Sequence, residues 1–123
     1  MRMEETAADK GKFKQLFTNA THRNLLGVWM MVKGSRLPLK SIAELLSVSE
    51  DILDGKLQTL AGLGLVNVVS DGTGVRQIDF LPGLSPDMEK MIKEFFDGRV
   101  NDFKSLELKV RSVLYLALLT AKL

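Results

Sequence analysis

Few residues of this chain could do covalent or metal chemistry. The sequence contains no cysteine and a single histidine, His22. A zinc or transition-metal site needs several clustered His, Cys, Asp or Glu ligands, so one histidine predicts no metal site. We expect His22 to be a surface residue at the start of a helix. No nucleophile is paired with a base in a recognisable pattern, and we therefore expect neither an enzyme nor a cofactor.

Residues 46–66 carry the most informative spacing in the chain. Ser47 and Glu50 have the separation of a capping box, which predicts that a helix begins here. Apolar residues then recur at helical intervals and predict a buried stripe. The stripe consists of Leu53, Leu57, Leu60 and Ala61. A rotation of about 100° per residue turns five other residues outward. They are Asp51, Ile52, Gly55, Gln58 and Thr59.

The outward face combines groups that suit DNA with groups that oppose it. Gln58 and Thr59 could hydrogen-bond to base edges in a groove, and Lys56 could reach a phosphate. Asp51 and Asp54 would instead meet the negative backbone. The side chains of this helix therefore neither establish nor exclude sequence-specific DNA binding.

Basic residues outside the helix provide further candidates for phosphate contact. Three of them surround the loop before the third helix: Lys33, Arg36 and Lys40. Arg76 follows a tight turn and could enter a minor groove. A solvated loop and a solvated arginine are the alternatives. Residues 41–102 hold eleven acidic and five basic residues, a balance that disfavours contact with phosphates.

The elements that would position these side chains are mostly helical. Apolar spacing predicts a short helix from Phe13 and a second one capped by Thr21, with Trp29 in the core. A third, short helix precedes the capping box. "LVNVV" and "VRQIDFL" predict two strands joined by a glycine turn, and Ser85 caps a helix that ends near Gly98.

The last predicted helix, roughly residues 102–121, is apolar on more sides than one small domain would bury. This pattern is typical of an oligomer interface, so we expect a homodimer formed through this helix, helped by the helix over residues 13–17. The expected dimerisation residues are Phe103, Leu106, Val110, Val113, Leu114 and Ala117. No apolar run is long enough to span a membrane, and the N-terminus has no apolar signal core. We expect a cytoplasmic protein without a membrane partner.

Three segments resemble known transcriptional regulators. "FKQLFTNATHRNLLGVWMMV" resembles the opening of ArsR-type repressors, and "SIAELLSVSEDILDGKLQTLAGLGLV" is similar to the helix-turn-helix of that family without a gap. "IDFLPGLSPDMEKMIKEFF" resembles the second wing strand and the following helix of MarR- and PadR-type regulators. The resemblance covers about residues 13–97. It implies a mainly α winged helix-turn-helix with a small β-hairpin wing and flanking N- and C-terminal helices.

We expect three parts: a flexible N-terminal segment (1–12) without helical periodicity, the winged helix-turn-helix domain that the resemblance covers (13–97), and a C-terminal dimerisation helix (98–123). The resemblance implies a homodimeric regulator that binds double-stranded DNA, with the capped helix in the major groove, and it allows a small-molecule effector. Gly55 departs from the family, whose helices commonly carry Arg there. The acidic central segment, with Ile52 exposed, favours an alternative: a winged-helix module that binds a protein instead of DNA.

Overall fold

The computed structural model describes residues 7–70 and 72–121, and gives side chains for residues 11–70 and 72–116. Within these residues the chain alternates helices with a small sheet. The elements are α1 (Ala7–Leu16), α2 (Ala20–Val32), β1 (Arg36–Pro38), α3 (Leu39–Leu46), α4 (Glu50–Gly62), β2 (Val66–Ser70), β3 (Arg76–Phe80), α5 (Pro86–Asp97) and α6 (Val100–Ala121). The mainly α winged-helix architecture predicted from the sequence is confirmed.

Helix α2 runs through the centre of the molecule. Its indole, Trp29, is fully buried, and Nε1 donates a hydrogen bond to the carbonyl oxygen of Leu81 over 2.8 Å. This bond joins α2 to the end of β3 and satisfies the polar atom that burial of a tryptophan would otherwise leave unpaired. The N-cap of α2 is Asn19, whose side chain accepts from His22 N–H; the predicted cap at Thr21 is wrong.

The sheet has three antiparallel strands in the order β1-β3-β2, one more than the predicted hairpin. Strand β1 is only three residues long, too short to show an alternating pattern, and its pairing with β3 sets Arg36 opposite Asp79. The wing, which is the hairpin β2–β3, turns through Gly72 and Gly74, both at positive φ. Glycine adopts this conformation without steric cost, as the predicted turn requires.

Helices α3 and α4 form the helix-turn-helix, and the turn between them corrects the predicted capping box. Ser47 ends α3 in the left-handed conformation (φ 57°), while Ser49 is the N-cap of α4 and accepts from Ile52 N–H at 3.2 Å. A serine on either side of Val48 could cap a helix. The backbone conformation at the end of α3 determines that Ser49, and not Ser47, is the cap. Ala61, predicted to be buried, is exposed.

Helix α6 packs along α2 and α3 at the rear of the helix-turn-helix. Helices α2 and α6 approach each other closely at Gly27, where a Cβ atom would lie 2.5 Å from Leu106 Cδ2. Leu106 and Val110 are only 6% and 2% exposed, and Phe103, Val113 and Leu114 pack partly buried against the same core. These predicted dimerisation residues therefore face their own chain. The side chain of Ala117 lies outside the described residues.

Helix α1 begins at Ala7, inside the segment predicted to be flexible, and buries Phe13 and Leu16 in the core. The predicted helix over residues 13–17 thus contributes mainly to the monomer. No helix among the described residues is long and apolar enough to cross a membrane.

Candidate nucleic-acid interface

Helix α4 presents the five predicted outward residues to solvent. Leu53, Leu57 and Leu60 are fully buried and fix the rotation of the helix. The opposite face is exposed in the predicted way, and Ile52 retains 54% of its accessible surface. The exposed residues are Asp51, Ile52, Gly55, Gln58 and Thr59. A Cβ atom on Gly55 would meet nothing within 4 Å, so packing within the chain does not require glycine there.

The wing arginine contacts α4. Arg76 Nη1 lies 3.1 Å from Asp54 Oδ1, and both side chains are partly exposed. The ion pair joins the first residue of β3 to the middle of α4 and neutralises the cation predicted to enter a minor groove. The sequence predicts that Asp54 would meet the DNA backbone and does not indicate this partner, because no local pattern relates residues 54 and 76.

Two of the three cations predicted to cluster near the loop before α3 also have acidic partners. Lys33 forms an ion pair with Glu89 of α5. Arg36 donates to both carboxylate oxygens of Asp79, from Nε at 2.5 Å and from Nη2 at 3.0 Å. This hydrogen bonding lowers the pKa of Asp79 and raises that of Arg36, and the opposite charges reinforce both shifts. The pair sits directly across the β1–β3 ladder, a position that favours opposite charges.

Lys40 and Lys56 are the remaining predicted phosphate contacts. Lys40 is exposed at the start of α3 and Lys56 is partly exposed on α4. Among the described residues neither has an acidic side chain within ion-pair distance. Of the predicted DNA contacts that carry hydrogen-bond donors, Lys40, Lys56, Gln58 and Thr59 therefore form no ion pair within the described part of the chain.

His22 departs from the predicted surface position. It is partly buried where α2 faces α4, and Nε2 is shielded from solvent without a hydrogen-bond partner among the described residues. Burial lowers its pKa and the positive charge of Lys56 lowers it further, while a hydrogen bond with the Lys56 backbone opposes the shift. The described residues contain no group of three His, Cys, Asp or Glu side chains that could hold a metal ion.

No protein-family model matches the chain. No curated protein matches it in sequence. Solved structures do match. HlyU from Vibrio cholerae N16961 is 20% identical with a TM-score of 0.56, over 77% of this chain and 96% of that chain. An ArsR family transcriptional regulator is 13% identical with a TM-score of 0.53, over 84% and 98% of the two chains.

A third solved structure is the adhesin competence repressor AdcR from Streptococcus pyogenes. It is 14% identical with a TM-score of 0.50, over 84% of this chain and 79% of that chain. At these identities the similarity establishes the fold and not the activity. The helices and the small three-stranded sheet of this chain, with TM-scores of 0.50 to 0.56 to these structures, establish the winged helix-turn-helix fold.

Proposed function

We propose that this protein is a DNA-binding transcriptional regulator that acts as a homodimer. The observation that carries the proposal is the orientation of α4, whose leucines are buried and whose Gln58 and Thr59 side chains are exposed. Both side chain types can pair with base edges in a major groove. Solved structures of the same fold are named as transcriptional regulators and repressors, which supports this reading.

The phosphate contacts of the proposal rest on Lys40 and Lys56. Arg36 and Lys33 would have to leave Asp79 and Glu89 before they could contribute, and Arg76 would have to leave Asp54. A small number of available cations predicts a modest salt dependence, because each phosphate neutralised releases about one counterion.

Fluorescence anisotropy with a labelled genomic promoter fragment tests the proposal. We expect binding below about 10 μM at 50 mM salt, since even nonspecific binding by DNA-binding proteins reaches about 10⁻⁴ to 10⁻⁶ M at physiological salt. Lys56→Ala should weaken binding and lower the magnitude of the salt slope by about one. The matched control is Lys90→Ala on α5, which should leave the affinity and the salt slope unchanged. Absence of binding to the promoter fragment and to random duplex at 50 mM salt would contradict the proposal.

A second candidate function is a protein-binding winged-helix module. It is favoured by the ion pairing of Lys33, Arg36 and Arg76 and by Ile52, which lies exposed among the acids at the start of α4. Protein interfaces bury an apolar core inside a polar rim, so an exposed apolar residue among polar ones is a candidate for such a core.

An affinity pull-down with paired variants separates the two functions. If α4 docks a protein, Ile52→Glu should abolish recovery of the partner and Lys56→Ala should leave it intact. If α4 binds DNA, Lys56→Ala is the variant that loses DNA binding. Recovery that neither change affects would exclude α4 as the protein-docking face.

A further inference from the structure

An open cleft lies beside α4, where the end of α1, the start of α2 and the second half of α4 meet. Its volume is about 780 Å³. Helix α4 contributes Gln58 and Thr59 to the lining, the two residues proposed to meet base edges. The cleft is therefore continuous with the proposed DNA-binding face of α4.

The described residues that line this cleft include polar and basic side chains but no carboxylate. Helix α1 contributes Lys12 and Gln15, the turn after it contributes Thr18 and Asn19, and α2 contributes His22. Among the described residues no carboxylate lies within ion-pair distance of Lys12. The lining therefore carries positive charge that the described part of the chain does not neutralise, although residues 41–102 are acidic.

Three of these side chains offer hydrogen-bond donors to a ligand. Lys12 and Gln15 are exposed on α1 and carry an ammonium and an amide group. Asn19 Oδ1 accepts from the His22 N–H at 3.1 Å, a bond that orients the amide and leaves its NH₂ group for another acceptor. Thr18 Oγ1 already donates to the Gln15 carbonyl oxygen at 2.7 Å, and His22 Nε2 is shielded from solvent. Ammonium and amide donors suit an anion with several acceptor oxygens, such as a phosphate.

The cleft and the wing lie on opposite flanks of α4. Asp54 and Lys56 are two residues apart in the helix, which places them about 200° apart around its axis. Asp54 lies 3.1 Å from Arg76 of the wing, and Lys56 lies beside His22 of α2. The wing therefore borders one flank of α4, and the α1–α2 corner, which is residues 12–22, borders the other.

A helix that lies in a major groove has a phosphate backbone on each side. The groove is about 12 Å wide, and a helix with its side chains is about 10–12 Å across. If α4 contacts base edges through Gln58 and Thr59, one backbone lies against the wing and the other against the α1–α2 corner. On the wing side Arg76 is paired with Asp54. On the corner side Lys12 has no such partner among the described residues, so this flank is better suited to a phosphate.

We propose that this cleft is a phosphate-binding site and that, in the complex with DNA, it holds the backbone of one strand through Lys12, Gln15 and Asn19. The role in the DNA complex rests on the proposed function, whereas phosphate binding by the free protein does not. Helix α1 then belongs to the DNA interface, which extends beyond the helix-turn-helix and the wing.

Fluorescence anisotropy with the labelled promoter fragment tests the contact in the DNA complex. Lys12→Gln should weaken binding by about fivefold and lower the magnitude of the salt slope by about one, because one exposed charge contact to a phosphate is lost. Gln15→Glu, which places a carboxylate of nearly the same shape in the cleft, should weaken binding at least as much. The matched control is Lys14→Gln, an exposed lysine on α1 that does not line the cleft. It should change the affinity by less than about twofold, since salt screens a charge that makes no contact.

Two-dimensional ¹H–¹⁵N NMR of the free protein tests the phosphate site without DNA. The probe is sodium pyrophosphate, and sodium chloride at the same ionic strength is the comparison. We expect saturable shifts of the Thr18, Asn19 and Thr59 amide signals with a dissociation constant of about 10 mM, the weak affinity of a solvent-exposed charge contact. Lys12→Gln should remove the saturable shifts, and Lys14→Gln should retain them.

The two measurements separate the cleft from the proposed function. DNA binding that Lys12→Gln and Gln15→Glu weaken no more than Lys14→Gln does would overturn the role of the cleft and leave the proposed function intact. A saturable pyrophosphate site that Lys12→Gln removes, in a protein that binds no DNA, would contradict the proposed function and support the phosphate site. Pyrophosphate shifts that are absent, that do not saturate or that lie away from the cleft would overturn the phosphate site whatever the DNA result.

Discussion

His22 lies on α2 where it faces α4, with Nε2 shielded from solvent and Lys56 nearby. At the scale of single residues, contacts between distant parts of the chain determine which interactions a side chain makes. Arg76 and Arg36, which could each have met a phosphate, are instead paired with Asp54 and Asp79. The side-chain type determines which contacts each of these residues can make. A partner distant in the sequence determines which of those contacts is formed.

The lowered pKa of His22 makes stability depend on pH. In the unfolded chain the imidazole titrates near its ordinary pKa of about 6.5. Burial and Lys56 depress the folded value, so the unfolded state binds more protons between the two values and stability falls as the pH drops through about 6.5. Urea unfolding measured from pH 8 to pH 5 should show this loss.

His22→Gln is the control for this dependence, because the chain has no other histidine. The carboxylates contribute equally to the pH dependence of the parent protein and of the variant. The difference between the two curves of unfolding free energy against pH therefore reports on His22 alone. Curves that stay parallel across this range would show that His22 titrates equally in both states.

At the scale of elements, α4 contains a helix-breaking residue that its own packing does not need. Gly55 is exposed in mid-helix, and the space around its missing Cβ is empty. Gly64, two residues beyond α4, has a positive φ of 79° and a conformational reason to be glycine. The sequence places Gly55 within the helix and Gly64 beyond its last predicted buried residue, and the backbone geometry shows that only Gly64 adopts the left-handed conformation.

Alanine substitutions should therefore have opposite effects at these two positions. We expect Gly55→Ala to stabilise the protein by about 1 kcal/mol, the difference in helix propensity. Gly64→Ala should destabilise it by about 1 kcal/mol or more, because a Cβ disfavours the left-handed conformation. Chemical denaturation of both variants beside the parent measures the changes. Destabilisation by Gly55→Ala would mean that α4 is constrained in a way its surroundings do not show.

At the scale of the whole molecule, the apolar surface of α6 is divided between the core and solvent. Leu106 and Val110 are buried within the chain, whereas Leu108 and Tyr115 are 64% and 63% exposed on another side of the helix. Leu108 and Tyr115 are seven residues apart and so lie on one face, two turns from each other. A dimer through α6 remains a prediction, as do the residues predicted to form it. Of these, Leu106 and Val110 are buried within the chain, whereas Phe103, Val113 and Leu114 are only partly buried.

Sedimentation velocity at micromolar concentration tests this face. If the protein dimerises through α6, Leu108→Asp with Tyr115→Asp should shift it to a monomer that keeps its helical circular-dichroism spectrum, since both residues are exposed in the single chain. The comparison variant is Val75→Asp, an exposed apolar residue in the wing hairpin, which should keep the dimer. Persistence of the dimer in the double variant would place the interface elsewhere.

Most of the fold could be predicted because its signals are local. Leu53, Leu57 and Leu60 recur at helical intervals, and Ser85 followed by Pro86 marks the start of α5, as the structure confirms. Strand β1 was missed because three residues are too few for a pattern. The cap of α4 was placed two residues early because Ser47 and Ser49 both satisfy the local rule.

The sequence by itself determined that Trp29 faces inward on α2 and that Leu53, Leu57 and Leu60 face inward on α4, since burying apolar surface leaves few choices of helix rotation. It also determined the outward face at Gly55, Gln58 and Thr59. The tertiary structure alone decided which charges are paired and which apolar side of α6 is buried. These outcomes depend on contacts between residues far apart in the chain, such as Arg76 with Asp54 and Gly27 with Leu106, and no local periodicity encodes them.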